Sequence, residues 1–280
     1  MSSVMEITTG IGCKVACTYC PQDRLIKAYR GKSSRMSLEA FKTCVDKIPP
    51  AVDIHFSGMY EPMLNPDWTR MLLYAHERGH LVKISSTLAG MNSADIDLLE
   101  TIPLKNLKIH LPADEERENI KVDENYLQLF NKLVRSSIKI KYSLHGERIH
   151  SRVKPFIGNK DIKPSVTCSR AGNKEIDTQT LPRRKRGVIC CRRELRHNVL
   201  LPDGEVILCC MDYGMRHVLG NLVSSDYDSL FRGREFLSVE KGLTDESLDI
   251  LCRRCEMYAY NVSLSARAYN SFLPRLRQKL

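Results

Sequence analysis

The sequence has no run of 18 or more apolar residues, the length a membrane-spanning helix requires, and no secretory leader precedes its first strand-like segment at residues 4–8. These absences predict a soluble, cytoplasmic protein. They also decide how its 11 cysteines are read. Without export to an oxidising compartment, so many thiols point to metal binding rather than disulfides. No zinc-finger, RRM-type or helix-turn-helix pattern accompanies the net charge of +10. The excess cation is concentrated in Arg183-Arg184-Lys185-Arg186, Arg192-Arg193, Arg253-Arg254 and the stretch from Arg267 to Lys279. Such charge attracts phosphorylated substrates, acidic lipid or nucleic acid, or is simply solvated. With 280 residues, 42% of them hydrophobic, the chain can build one large core and a smaller second domain.

The informative stretch runs from Gly10-Ile11-Gly12-Cys13 through Cys17 to Tyr19-Cys20-Pro21, with cysteines spaced C-x3-C-x2-C. Offsets of zero, four and seven would align three thiols on one helix face. Gly10 and Gly12 instead favour irregular backbone, and Pro21 biases Cys20 away from the helical region. A loop folded back on itself aims three thiolates at one centre, and three ligands leave a coordination position open. From the residues alone three readings stand: buried structural cysteines, a zinc site with a borrowed fourth ligand, or an iron–sulfur cluster with one open iron.

The loop resembles the signature of the radical S-adenosylmethionine (radical SAM) enzymes, with Tyr19 at the family's aromatic position. The resemblance implies a [4Fe–4S] cluster on Cys13, Cys17 and Cys20 whose open iron chelates S-adenosylmethionine. It also implies a 5′-deoxyadenosyl radical that removes a substrate hydrogen atom, and a reducing partner such as a flavodoxin or ferredoxin.

Strand-like runs at 4–8, 52–56, 81–84, 107–111 and 138–144 alternate with helical spacing at 37–48, 65–79, 93–99 and 126–134. Leu38, Phe41, Val45 and Ile48 recur on one face behind a capping Ser37, with Cys44 beside that stripe as core. Such alternation predicts parallel strands under covering helices. A full (β/α) barrel needs about 250 residues, so five units predict an α/β fold with a partial TIM-like barrel over 1–150. The family resemblance implies the same truncated barrel. Chemistry in parallel folds gathers at the carboxyl ends of strands.

Several motifs follow those strands. Ser57-Gly58-Met59-Tyr60-Glu61-Pro62 resembles the family's G-x-G-E-P segment, which implies that Gly58 and Glu61 support the cofactor ammonium through a charge-assisted contact. Tyr60 stands where that form has glycine. Ser85, Ser86 and Thr87 match the family's hydroxyl-rich third strand end, near the methionyl or ribose part, and His110 matches a contact position at the end of the fourth. Lys121 would supply a cation to the cofactor carboxylate, and His145 and Glu147 would face substrate. Serines that cap the next turn and structurally satisfied histidines are the ordinary alternatives.

Residues 147–187, with Pro155, Pro164 and Pro182, read as a connection that leaves Cys168 unassigned. Residues 198–210 read as a hairpin around Pro202-Asp203-Gly204, 226–237 as a helix, and a final helical region follows Tyr258. Cys191, Cys209, Cys252 and Cys255 complete a four-thiolate site, which structural zinc would also suit. Residues 188–280 resemble the SPASM/twitch extensions of radical SAM enzymes: Cys191, Gly204 and Cys209 match the pattern, as do Asp212 and Leu219-Gly220-Asn221-Leu222. The resemblance implies the shorter twitch form with one auxiliary [4Fe–4S] cluster. Cys190 and Cys210 are adjacent alternatives as ligands. The type most similar is the twitch-bearing dehydrogenase acting on an aminocyclitol alcohol. The expected activity is therefore oxidation of a sugar or cyclitol alcohol, on a small and possibly anionic molecule. Epimerisation (with Cys168 as hydrogen donor), dehydration and peptide modification are alternative outcomes. A basic, zinc-containing nucleic-acid-binding protein is the competing class.

Overall fold

The computed structural model describes residues 3–165, 167–174 and 184–260. Arg183, Pro182 and the basic stretch from Arg267 to Lys279 lie outside the described residues.

β1 (Val4–Ile7) is buried at all four positions and runs straight into the cysteine loop. The loop leads to α1 (Gln22–Ala28), a seven-residue helix too short to announce itself by periodicity. Then come α2 (Leu38–Val45), β2 (Asp53–Phe56), a 3₁₀ turn at Pro62–Leu64, α3 (Trp68–Glu77) and β3 (Val82–Ser86). They are followed by α4 (Ser93–Thr101), β4 (Asn106–Leu111), α5 (Glu124–Arg135) and β5 (Ile140–Leu144). Helix starts are set locally. Ser37 Oγ accepts the Ala40 N–H at 3.1 Å, Asn92 and Asp95 form a reciprocal capping box, and Asp123 caps Tyr126. Each such cap contributes about 1 kcal/mol. Phe41, Phe56, Ile54, Leu72 and Ile84 are fully buried between sheet and helices, with Cys44 in the same core.

The second half contains α6 (Lys154–Ile157), β6 (Ile189–Cys191), β7 (His197–Leu200), β8 (Glu205–Ile207) and β9 (Val218–Asn221). α7 (Ser229–Arg232), α8 (Arg234–Gly242) and β10 (Tyr258–Tyr260) complete it. β7 and β8 form the expected hairpin, but not as a free-standing unit. β7 lies parallel to β1, pairing Val4 with His197 through Ile7 with Leu200. One open eight-stranded sheet results, in the order β5-β4-β3-β2-β1-β7-β8-β9. β1 therefore has partners on both edges, which removes the exposed edge a five-stranded sheet would leave there.

Two sequence expectations change. The helix over 226–237 is divided into α7 and α8 by Gly233, whose extended backbone (φ −67°, ψ 152°) caps the second piece. The helical region after Tyr258 begins instead as β10, antiparallel to β6, because the β6 edge offers a ladder; residues 261–280 lie outside the described residues. Among the described residues no helix is long and apolar enough to cross a membrane.

Candidate functional site

The carboxyl ends of β1 to β4 open into one cavity, and the cysteine loop forms its rim. Gly12 (φ +79°) and Ala16 (φ +45°) take left-handed backbone, which reverses the chain so that Cys13, Cys17 and Cys20 all line the cavity. Neighbouring segments pin the loop. Thr18 N–H donates to Arg117 O at 2.8 Å, Asn119 N–H to Val15 O at 2.7 Å, and Glu61 N–H approaches Cys13 Sγ at 3.4 Å. Gln22 Nε2 donates to Met59 O at 2.6 Å and to Cys20 Sγ at 3.4 Å. Burial pushes the Cys13 thiol up and the Cys17 thiol up to about 12. Such thiols ionise when a metal supplies the balancing positive charge.

The segment after β2 fits against this loop. Gly58 (φ +73°) comes so close to Thr8 that a Cβ would lie 2.4 Å from its Oγ1. Tyr60 lays its ring over Gly10, where a Cβ would meet it at 2.7 Å; this accommodates a tyrosine at the family's glycine position. Glu61 lines the cavity but is already engaged. Ser86 Oγ donates to Oε1, and both the N–H and Oγ1 of Thr87 donate to Oε2, each at 2.7 Å. The Met63 N–H adds a fourth donor, so the roughly four acceptor positions of the carboxylate are filled. Burial raises the Glu61 carboxyl, against those hydrogen bonds. Ser85 is likewise tied, to His55 Nε2 at 2.9 Å.

Tyr19, His145 and His110 form one wall: ring centroids are 4.4 Å apart for Tyr19 and His145, and 5.3 Å for His145 and His110. Burial, reinforced by surrounding cations, holds His110 down to about 3 and His145 to about 4, so both imidazoles are neutral near pH 7. His110 Nδ1 is 3.2 Å from Ser143 Oγ, which leaves Nε2 available.

Lys121 and Glu147 are not brought to the cavity. The Lys121 side chain is 87% exposed and faces Asp123 at 3.6 Å, while Glu147 lies exposed beyond β5. Three lining residues escaped sequence reasoning: Gln22, Arg170 and Tyr213. Arg170 belongs to a tight turn with left-handed backbone at Arg170, Ala171 and Gly172. Glu256 holds that turn, accepting the N–H groups of Ser169 at 2.5 Å and Ala171 at 3.1 Å.

A second chamber is lined by Cys190, Cys191, Cys209, Cys252 and Cys255, among apolar side chains such as Leu195, Leu208 and Leu251. Burial raises Cys209, with Cys210 and Cys252 adding to it, and raises Cys252, with Cys191 and Cys255 adding. The thiols of Cys191, Cys209, Cys252 and Cys255 thus lie within electrostatic reach of one another around the chamber. Cys210 faces away, its Sγ 3.1 Å from Arg193 Nη1, in a different packing cluster. Cys168 packs at the chamber's edge with Met211, Cys209 and Cys255. Between Cys252 and Cys255, fully buried Arg253 leaves Nε and Nη2 without partners. Thiols spaced around an apolar chamber suit an iron–sulfur cluster. Among the described residues no three His, Cys, Asp or Glu side chains are grouped as a single metal ion would require; the thiols surround spaces instead.

Residues 190–256 match the SPASM family, an iron–sulfur cluster-binding domain. No curated protein matches the sequence. Among solved structures, BtrN in complex with AdoMet and 2-DOIA aligns over 94% of both chains, at 16% identity and a TM-score of 0.65. Streptococcus suis SuiB bound to the precursor peptide SuiA aligns over 91% of this chain and 71% of its own, at 11% identity and a TM-score of 0.64. The anSMEcpe structure with bound AdoMet aligns over 91% and 86%, at 12% identity and a TM-score of 0.58. At such identities these likenesses establish the shared fold. Residues 190–256 thus form an iron–sulfur cluster-binding domain of the SPASM family, and the chain as a whole shares the fold of these structures.

Proposed function

We propose that the chain is a radical SAM enzyme, as its C-x3-C-x2-C loop, fold and SPASM match support, and that it oxidises an alcohol of a small sugar- or cyclitol-type substrate bearing an anionic group. The observation that carries this reading is the unequal completeness of the two thiol sets. Three cysteines border an open cavity with polar side chains in its walls, whereas five, Cys190 beside the four expected ligands, line an apolar chamber. Cys13, Cys17 and Cys20 would hold a cluster with one iron open to S-adenosylmethionine. Cys191, Cys209, Cys252 and Cys255 would hold a fully liganded one, suited to accepting an electron rather than substrate. Together these groups supply a 5′-deoxyadenosyl radical for hydrogen abstraction and an acceptor for the electron left on carbon.

The chain's own residues supply the rest. The buried Glu61 carboxylate would receive the cofactor ammonium in place of one of its present donors. The Tyr19–His145–His110 wall shapes the substrate side, and His110 Nε2 accepts the hydroxyl proton as the carbonyl forms. The Arg170 guanidinium, held in the cavity lining by its clamped turn, pairs with the anionic group. The BtrN complex with AdoMet and 2-DOIA supports a small substrate. SuiB, bound to a precursor peptide, supports peptide modification as the second reading. A cytoplasmic location and a flavodoxin or ferredoxin donor belong to the same proposal.

Metal analysis after anaerobic purification should give about eight irons per chain; zinc without iron would sink the proposal. With dithionite and S-adenosylmethionine the protein should release 5′-deoxyadenosine, and Cys17→Ala should not. A ketone product separates dehydrogenation from epimerisation, dehydration and peptide modification.

A further inference from the structure

Tyr213 belongs to the SPASM half of the chain, yet its hydroxyl lies 3.1 Å from Cys20 Sγ in the cysteine loop. The residue is 2% exposed, and its ring packs with Leu25, Met59, Val199 and Ile207, so the phenol has little freedom to turn elsewhere. Its backbone is fixed as well. Asp212 N–H donates to Cys209 O at 3.0 Å, and the Asp212 carboxylate accepts the N–H groups of Arg216 and His217 at 2.8 Å each. Asn173 Nδ2 holds the preceding carbonyl, Met211 O, at 2.9 Å. One short segment thus lines the cysteine-rich apolar chamber with Cys209 and the other cavity with Tyr213.

We propose that Tyr213 is a positioning residue through which the auxiliary half of the chain sets the reduction potential of the cluster on Cys13, Cys17 and Cys20. This rests on the ligation proposed above. A cysteine bound to iron carries no proton, so in this contact the phenol O–H donates and the sulfur accepts. A hydrogen bond to a cluster sulfur favours the more negatively charged, reduced state and so raises the potential. The Arg170 guanidinium, whose charge is felt at both Cys20 and Tyr213, acts in the same direction. Cys13 and Cys20 also take hydrogen bonds from Glu61 N–H and Gln22 Nε2, but these donors come from the barrel half. Tyr213 makes the radical-generating centre dependent on correct folding of the segment that carries Cys209.

The test is an EPR-monitored redox titration of the anaerobic holoprotein, following the signal that S-adenosylmethionine perturbs. Tyr213→Phe keeps the ring and removes the hydroxyl; its midpoint should move to more negative potential at unchanged iron content. Tyr29→Phe deletes a hydroxyl in the same core, one that bonds Asp203 N–H, and should leave the midpoint in place. If Tyr213→Phe fails to load iron, 3-fluorotyrosine at position 213 retains the ring and is a stronger donor; the midpoint should then rise. A midpoint fixed at the wild-type value in the variant that loads overturns the proposal. Failure of the ligation itself looks different: the wild type lacks any signal that S-adenosylmethionine perturbs, or the signal survives replacement of Cys13, Cys17 and Cys20. Either result overturns both proposals together.

Discussion

Glu61 Oε2 accepts two hydrogen bonds from Thr87, one from its N–H and one from its hydroxyl, both at 2.7 Å. This carboxylate therefore ties the segment after β2 to the end of β3 before any cofactor arrives. Glu61→Gln would turn an amide N–H₂ towards these donors. Leaving buried donors unpaired costs about 1–3 kcal/mol, and for a chain of this size each kcal/mol lowers Tm by roughly 2–4 °C. The melting temperature of the apoprotein should fall accordingly. A residue serving solely as a cofactor ligand would leave it unmoved.

The glycines of the site should fail in a recognisable way. Gly10→Ala brings a Cβ to 2.7 Å from the Tyr60 ring, and either that ring or the cysteine loop must shift to relieve the contact. Iron bound at Cys13, Cys17 and Cys20 should drop, and Gly10→Ala/Tyr60→Ala should recover it. Gly58→Ala combines φ +73° with a 2.4 Å approach to Thr8 Oγ1. No partner substitution relieves the backbone strain, worth about 1–3 kcal/mol. Rescue of Gly58→Ala by Thr8→Ala to wild-type iron content would contradict this account.

How much of this could be read beforehand depended on distance along the chain. Cys13 and Gly58 come after β1 and β2, and Ser86 and His110 lie in the last residues of β3 and β4, so strand order alone carries them to one end of the sheet. Tyr213 and Cys20 are separated by 193 residues. Their meeting depends on β7 docking parallel to β1, and a hairpin pattern does not say which edge it will find. Arg170 was hidden for a similar reason: its turn is held by Glu256, far along the chain, rather than by local periodicity. Lys121 erred the other way. The preceding segment is pinned to the cysteine loop through Asn119, and the lysine that follows extends to solvent.

The clamp on the Arg170 turn is directly testable. Glu256→Ala removes the acceptor for the Ser169 and Ala171 N–H groups while sparing the neighbouring Cys255. Amide hydrogen exchange in residues 168–174 should accelerate, with that of the β1–β5 sheet unchanged. If exchange there stays at the wild-type rate, Glu256 does not hold the turn.

Acid should destabilise the apoprotein through its buried histidines, His55 and His110 above all. His55 and His110 are both held down to about 3, first by burial. Around His55 stand Lys83, Lys108, Arg193 and His197; around His110 stand His145, Lys108, Arg170 and His55. In the unfolded chain each titrates near its ordinary value of about 6.5. Between that value and about 3 the unfolded state binds more protons, so stability rises with pH across this window and is lost as pH falls. Denaturant midpoints should decline below pH 6.5, and His110→Gln should reduce the slope by about one proton. An unchanged slope would place the His110 titration outside this window.

The final prediction concerns which thiols hold the auxiliary cluster. Adjacent cysteines at 190–191 and 209–210 make a one-residue error easy from sequence, but side-chain direction separates the second pair. Cys209 lines the chamber and crowds Cys252, whereas Cys210 is spent on Arg193, which in turn pairs with the buried Glu6 at 3.3 Å. At the first pair both residues border the chamber, and Cys191 is the one felt at Cys252 and Cys255. Replacing Cys191, Cys209, Cys252 or Cys255 by serine should lower iron from about eight to about four per chain. Cys210→Ser should keep all of it, because its sulfur accepts from a guanidinium that a hydroxyl can also satisfy. Cys190→Ser should likewise retain iron. Loss of four irons in Cys210→Ser, with full retention in Cys209→Ser, would reverse the assignment and turn this segment over by one residue. The Tyr213 contact with Cys20 would then need a different backbone path, so the two measurements check each other.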